Sequence, residues 1–388
     1  MKVGILEIMP TGHYTLVDSI TRIFASSIEN HIFIFVIENK KNNLQTLNNL
    51  HKEQITFIPW NASTPLNLYF DKINNLNLDK LYIVTLEKYF KDFSKYLFNC
   101  QTNVFIHNID EWFGNRLWYS LCQIFFKEVS LRGTLYNLKK NTYYSYFKRR
   151  IKKNILDSDS KFVVLNTVLK NELKKLIPEN KIEIIPFSVY NSDLLSESSN
   201  SVLRICIPGM VSELRRDYYF VSNLLIKNLN KYRGKIEIVL LGFISNNEFG
   251  FRVIEEFQKL NEKGIKVTYF TEDYIPLDEY DFELSKCDLI LGNIKVNIDK
   301  YSKYGKTKET GIPFTMIRAA KPGILPHNYT SIKELETSTL RFYDSNSLGR
   351  ILIDLITDNM LLSKLKVEAL NNSLKFDPAR IYNELISK

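Results

Sequence analysis

The feature that most limits how this chain can fold is an alternation, met twice, of short runs rich in Val and Ile with longer amphipathic stretches. In the first half the short runs are 3–8, 32–37, 55–59, 81–85, 103–106 and 162–165, and helical patterns lie between them at 15–28, 66–76, 87–97, 116–129 and 168–176. Strands that lack clean in-out alternation and are separated by helices predict a mostly parallel sheet covered on both faces. After the run 182–189 comes the polar stretch 190–201 (YNSDLLSESSNS), with the composition of an exposed linker or a surface loop. The alternation then restarts, with strands at 203–207, 236–241 and 265–270, helices at 218–229 and 248–260, further elements at 287–291, 314–320 and 323–325, and a helical run over 347–370. A chain of 388 residues is long for one core. The expected fold class is therefore α/β with two Rossmann-like domains facing across a cleft: 1–190, a linker at 191–200, 201–365, and a C-terminal helical segment 366–388 able to cross back to the first domain.

Composition narrows the partners. The formal charge is +9, from 52 Lys and Arg against 43 Asp and Glu, which favours an anionic partner: nucleic acid, a phospholipid surface or a diphosphate. The four cysteines lie far apart with no CxxC pair, which argues against a zinc site or disulfide framework and fits a reducing, cytoplasmic compartment. The opening MKVGILEIMP has one lysine and an apolar run too short for a secretory signal, and no run approaches the roughly 20 residues needed to span a bilayer. The segment 139–154 (KKNTYYSYFKRRIKKN) interleaves Tyr143, Tyr144, Tyr146 and Phe147 with Lys148, Arg149, Arg150, Lys152 and Lys153. It reads as a solvated helix with packed aromatics or as a face for anionic lipid; without a nucleic-acid fold around it, nucleic acid is not expected as a partner.

Candidate chemistry concentrates at strand ends. The segment 204–217 (RICIPGMVSELRRD) brings Gly209 to the end of a strand, where the missing Cβ permits close approach of a ligand or a tight turn. Arg215 and Arg216 follow just before a helix; guanidinium groups there can hold phosphate oxygens, although an exposed arginine pair is also ordinary. Gly242 repeats the arrangement at the next strand end, as a turn glycine or a second close approach. None of these glycines forms GxGxxG or GxxxxGKS/T, which removes the dinucleotide fingerprint and the ATPase loop. The segment 301–326 (YSKYGKTKETGIPFTMIRAAKPGILP) packs Gly305, Lys306, Lys308, Glu309 and Gly311 before a helical run stopped by Lys321-Pro322-Gly323. A carboxylate in such a loop can accept two sugar hydroxyls, and the helix start favours phosphate. Asp157-Ser158-Asp159 matches a metal-binding DxD, but between a basic stretch and a strand it reads as a cap or loop, and no protein-bound metal is expected.

With these residues the chain resembles the GT-B fold glycosyltransferases, most closely the large retaining group called family 4, over nearly its whole length. The family's second-domain strand ending in glycine and followed by a basic residue is similar to Gly209 with Arg215 or Arg216. Its late motif, opening on Glu-Gly and closing on Gly-Lys-Pro, is similar to the stretch from Glu309 to Lys321-Pro322. The family's second glutamate has no match, and Arg318 stands near its place. In the first half, Pro10-Thr11-Gly12-His13 resembles the glycine loop that faces donor phosphate and acceptor. His107-Asn108-Ile109-Asp110-Glu111-Trp112 resembles the loop whose histidine points at the donor sugar, although a hydrogen-bonded loop histidine is the plain alternative for His107. Asp110 and Glu111 are the candidates for acceptor contacts or a general base. Ile184-Ile185-Pro186-Phe187 resembles the interdomain crossover.

The resemblance implies transfer of a sugar from a UDP- or GDP-linked donor, as co-substrate and with no other cofactor, to a glycan or glycolipid hydroxyl in surface polysaccharide synthesis, with retention. An inverting transferase, a nucleotide-sugar epimerase and a non-catalytic sugar-binding paralogue are the alternatives. The partners implied are a nucleotide sugar, a glycan or lipid-linked acceptor and the anionic inner face of the plasma membrane, met through 139–154.

Overall fold

The computed structural model describes residues 1–9, 13–38, 44, 53–86, 88–114, 131–195, 202–272, 275–297, 303–330 and 332–387, with 131–141 as backbone. Gly12, with Pro10 and Thr11, and the helical pattern at 116–129 lie outside the described residues. The chain forms two units, Met1–Pro186 with Lys306–Glu309, and Phe187–Gly305 with Thr310–Lys388.

Among the described residues the first unit holds seven strands: β1 Lys2–Glu7, β2 His31–Ile37, β3 Ile55–Trp60, β4 Lys80–Ile83, β5 Gln101–Phe105, β6 Phe162–Val164 and β7 Ile182–Ile184. All pair in parallel, in the order β3-β2-β1-β4-β5-β6-β7. Val3, Ile5 and Leu6 of β1 are wholly buried, as expected for a strand covered on both faces. The helices are α1 Tyr14–Ala25, α2 Leu66–Asn74, α3 Phe90–Lys95, α4 Ile109–Phe113, α5 Leu131–Leu156 and α6 Thr167–Leu173. The chain leaves β1 toward β2 on one side and later returns to β4 on the other. Their C-terminal ends therefore border the place where strand order reverses, the usual ligand crevice of open parallel sheets.

The second unit repeats the plan with β8 Leu203–Pro208, β9 Ile236–Leu241, β10 Lys266–Tyr269, β11 Leu289–Leu291, β12 Gly323–Pro326 and β13 Thr339–Phe342. The order is β10-β9-β8-β11-β12-β13, again all parallel, so the reversal falls between β8 and β11. Its helices are α7 Tyr218–Lys227, α8 Leu229–Tyr232, α9 Glu248–Glu262, α10 Leu277–Ser285, α11 Ile312–Ala319, α12 Ser345–Thr357, α13 Asn359–Ser373 and α14 Pro378–Ile386. Ile205, Ile207, Ile238, Leu240, Val253 and Phe257 belong to the core that joins sheet and helices.

The expected helix over 347–370 is two helices. Asp358 takes an extended conformation between them, and its carboxylate accepts the amides of Met360 and Leu361, ending one helix and capping the next. The stretch read as a linker begins inside the second unit: the Tyr190 amide donates to the Phe376 carbonyl, the Asn191 amide donates to the Arg318 carbonyl, and Leu194 is buried. Residues 366–387 also belong to that unit. Among the described residues no helix is long and apolar enough to cross a membrane.

Candidate functional site

In the first unit the ends of β1 and β4 bring together residues far apart in sequence. Glu7, the last residue of β1, is 1% exposed. Its Oε1 accepts the Met9 amide at 2.9 Å, and its Oε2 accepts the Thr85 hydroxyl at 2.6 Å and the His13 amide at 3.4 Å. Thr85 Oγ1 lies 3.1 Å from His13 Nδ1. The Thr85 proton is directed at a carboxylate, so the hydroxyl oxygen is left to accept, and His13 carries its proton on Nδ1.

His13 precedes α1 and stacks on His107 beyond β5, with ring centroids 4.3 Å apart and 14° between planes. His107 Nε2 lies 2.8 Å from the Val84 carbonyl, which can only accept, so the two rings carry their protons on different nitrogens. Burial holds the His13 pKa well below the usual imidazole value, and the adjoining His107 and Lys308 push the same way. Burial lowers His107 as well; the Val84 bond and Glu111 oppose this, and Lys308 adds to it. Both rings are therefore neutral at pH 7.

The segment Lys306–Glu309 is part of this unit. Lys308 forms an antiparallel bridge with Asn108, and the Ile109 amide donates to the Thr307 carbonyl at 2.8 Å. Asn108 caps α4 through the amides of Asp110 and Glu111, which sets both carboxylates in its first turn. Lys148 Nζ donates to Glu111 Oε1 at 3.2 Å and to its carbonyl at 3.1 Å, while lying 4.6 Å from the Phe90 ring centroid. Glu309 is buried and accepts Asn166 Nδ2 at 2.5 Å; Asn166 Oδ1 caps α6. Lys306 is exposed.

In the second unit the ends of β8, β9 and β11 form a different arrangement. Gly209 has φ +90°, and an added Cβ would meet Arg216 Nη2 at 2.8 Å. A Cβ on Gly242 would fall 2.2 Å from the Gly209 carbonyl oxygen, so both glycines are required, one by its dihedral and the other by backbone contact. Arg215 is exposed, whereas Arg216 is 7% exposed and its backbone bridges Ile294. Its Nη1 is buried without a hydrogen-bond partner among the described residues, as are both amide atoms of Asn293, which is 2% exposed beyond β11. Gly311 precedes α11, and nothing lies within 4 Å of an added Cβ there. Arg318 is wholly engaged in the interior: its Nε and Nη2 each lie 2.7 Å from the Asp281 carboxylate.

Sequence reading singled out His107, Glu309 and Arg216 but not Glu7, Thr85 or Asn293. A glutamate ending an otherwise apolar strand, LYIVT ending on a hydroxyl, and an asparagine after LILG were the available signals. Among the described residues no group of three or more His, Cys, Asp or Glu could hold a metal ion.

No family model and no curated protein matches the chain. Solved structures do. A glycosyltransferase from Rickettsia africae aligns with a TM-score of 0.61 at 15% identity, over 100% of this chain and 96% of its own. Anabaena Alr3699/HepE, solved in complex with UDP, aligns with a TM-score of 0.59 at 13% identity, over 100% and 99%. TcCGT1, also in complex with UDP, gives 0.52 at 12% identity, over 100% and 98%. Together with two all-parallel sheets and their flanking helices, these likenesses establish that the chain has the GT-B fold.

Proposed function

We propose that this chain transfers a sugar from a UDP- or GDP-linked donor to a hydroxyl of a glycan or lipid-linked glycan in surface polysaccharide synthesis. The observation that carries the reading is Arg216, a buried guanidinium lying against Gly209 at the reversal of strand order, with Nη1 and the neighbouring Asn293 amide lacking protein partners. Buried donors of this kind are expensive unless a ligand supplies acceptors, and a diphosphate does so with matching charge. The UDP complexes of HepE and TcCGT1 support a nucleoside diphosphate as that ligand. Arg216 would neutralise the charge that develops on the leaving diphosphate. Arg215 adds positive potential from the surface. In the first unit, Glu309 and Lys308 are the proposed sugar-hydroxyl and charge contacts.

Calorimetric titration with a panel of UDP- and GDP-linked sugars, followed by transfer assays with glycoside acceptors, tests the reading. Binding that Arg216→Met weakens, and transfer by the unaltered chain, are the expected results. Binding without transfer would favour a sugar-binding paralogue, and a donor epimer as product would favour an epimerase. Retention is what the resemblance implies, yet the family's second glutamate is missing.

The exposed face of α5, with Tyr143, Tyr146, Arg149, Arg150 and Lys153, supports peripheral contact with the anionic inner face of the plasma membrane. Stronger co-sedimentation with phosphatidylserine-containing than with phosphatidylcholine vesicles at low salt is the expected outcome; equal recovery would remove that contact.

A further inference from the structure

We propose that a cavity in the first unit, between α3, α5 and the strands β4 and β5, is a binding site for a small molecule bearing a neutral, benzene-sized aromatic ring, and that Lys148 couples its occupancy to α4. The cavity has a volume of about 130 Å³. Apolar cavities of roughly 150 Å³ stay dry and take up benzene. Phe93, Tyr96 and Phe98 supply one part of the wall, Ile151 and Ile155 of α5 another, and Cys100 a third. Leu97, 70% exposed, and the exposed Ser158 also line it, which gives a ligand a way in from solvent.

The lining selects the ligand. Among the described residues no lining side chain is an acid or a base, so a charged ligand would enter without a counter-ion. The polar side chains are largely engaged with the protein. The Tyr96 hydroxyl donates to Asp71 Oδ1 at 2.6 Å, the Ser158 hydroxyl donates to the Asn154 carbonyl at 2.8 Å, and the Ser160 hydroxyl accepts the Thr102 amide at 3.0 Å. Burial pushes the Cys100 thiol up to about 11, so it stays neutral at pH 7. Little is left to hold water, which favours an apolar guest. The ring centroids of Tyr96 and Phe98 are 5.0 Å apart at 59°, and those of Phe93 and Phe98 6.3 Å apart at 42°. A flat ring entering beside them extends this tilted packing, which is worth more than the area it buries.

The same walls support α4. Ile151 lies one turn after Lys148 on α5, and Phe93 one turn after Phe90 on α3, so each pair shares a helix face. Lys148 Nζ lies 4.6 Å from the Phe90 ring centroid and donates to the Glu111 carbonyl and carboxylate, which joins both helices to the first turn of α4. A ring that fixes the spacing of α3 and α5 fixes Lys148 and Glu111 with it, and the coupling runs equally in both directions. No sugar donor or acceptor is involved, so this site stands or falls separately from sugar transfer.

Saturation-transfer NMR and urea denaturation of the full chain, with benzene and with benzoate as its charged counterpart, test the site. Benzene is expected to show transfer and to raise the unfolding midpoint, and benzoate to do neither. Cys100→Leu, which fills the volume, is expected to lower benzene affinity about tenfold or more. Ile155→Ala, which enlarges it, is expected to raise that affinity while lowering the ligand-free midpoint. Benzene is also expected to shift the Glu111 backbone amide in proton–nitrogen spectra of the unaltered chain but not of Lys148→Met. No transfer from the unaltered chain, an equal response to benzoate, undiminished affinity in Cys100→Leu or no gain in Ile155→Ala overturns the site. Benzene bound with the Glu111 amide unmoved overturns its coupling to α4.

Discussion

The two units share a strand order, 3-2-1-4-5-6 in each with one strand more in the first, and place polar residues at the same reversal point, yet the residues are in opposite states. In the first unit Glu7, Thr85 and His13 answer one another's hydrogen bonds, and the site is complete within the protein. In the second, Arg216 and Asn293 are buried with donor and acceptor atoms that no described residue meets. A self-satisfied network rigidifies its surroundings and fixes where each proton sits. An unsatisfied one costs the ligand-free fold stability and returns that cost when acceptors arrive, which suits binding. The same topology thus carries two kinds of polar arrangement, and the difference is visible in where hydrogen bonds end.

Stability and binding should therefore respond in opposite senses to substitutions in the two places. Arg216→Met is expected to weaken nucleotide affinity by roughly 10²-fold, the scale of a lost buried charged contact, while leaving the unfolding midpoint equal or higher. Thr85→Val is expected to cost about 1–3 kcal/mol, because it leaves Glu7 and His13 without their shared partner in a buried place. Calorimetric titration with UDP and urea denaturation measure the two effects. A large loss of stability in Arg216→Met, or none in Thr85→Val, would break the contrast between the sites.

The sheets were legible because strands buried on both faces read as unbroken apolar runs: HIFIFVI became β2 and IEIVLL became β9. β13 was missed because TLRF is four residues long, with Leu340 and Arg341 only half-buried. Arg216 was legible as a charge near a strand end, but its burial was not, since only the fold shows which member of Arg215-Arg216 turns inward. The Glu7–Thr85–His13 network was not legible at all. His13 and Thr85 are 72 residues apart, and their meeting depends on β1 pairing with β4, a fact of topology that no local pattern contains. Arg318 shows the converse: its partner Asp281 lies 37 residues earlier on α10, so the arginine reads as available in sequence and is engaged in the structure.

The smallest expected effect also separates the two sites, because among the described residues only the first holds histidines. His13 and His107 both have folded pKa values below their ordinary 6.5, through burial first and Lys308 among the further causes. The unfolded chain takes up these protons as pH falls below about 6.5 while the folded chain resists them, so stability is full above that value. It is lost as pH falls toward the lowered folded values. The charges facing the pair are Glu7, Glu111 and Lys308, and removing the last is the cleanest change because it acts on both rings in one direction. Lys308→Met should raise both histidine pKa values and reduce the loss of stability between pH 6.5 and 5.5. Carbon-13 titration of the imidazoles and urea midpoints across that window measure the two. A midpoint that holds steady or rises as pH falls through this window would mean that the ring pair accepts protons as readily folded as unfolded, and the first site would lose the neutrality that distinguishes it from the second.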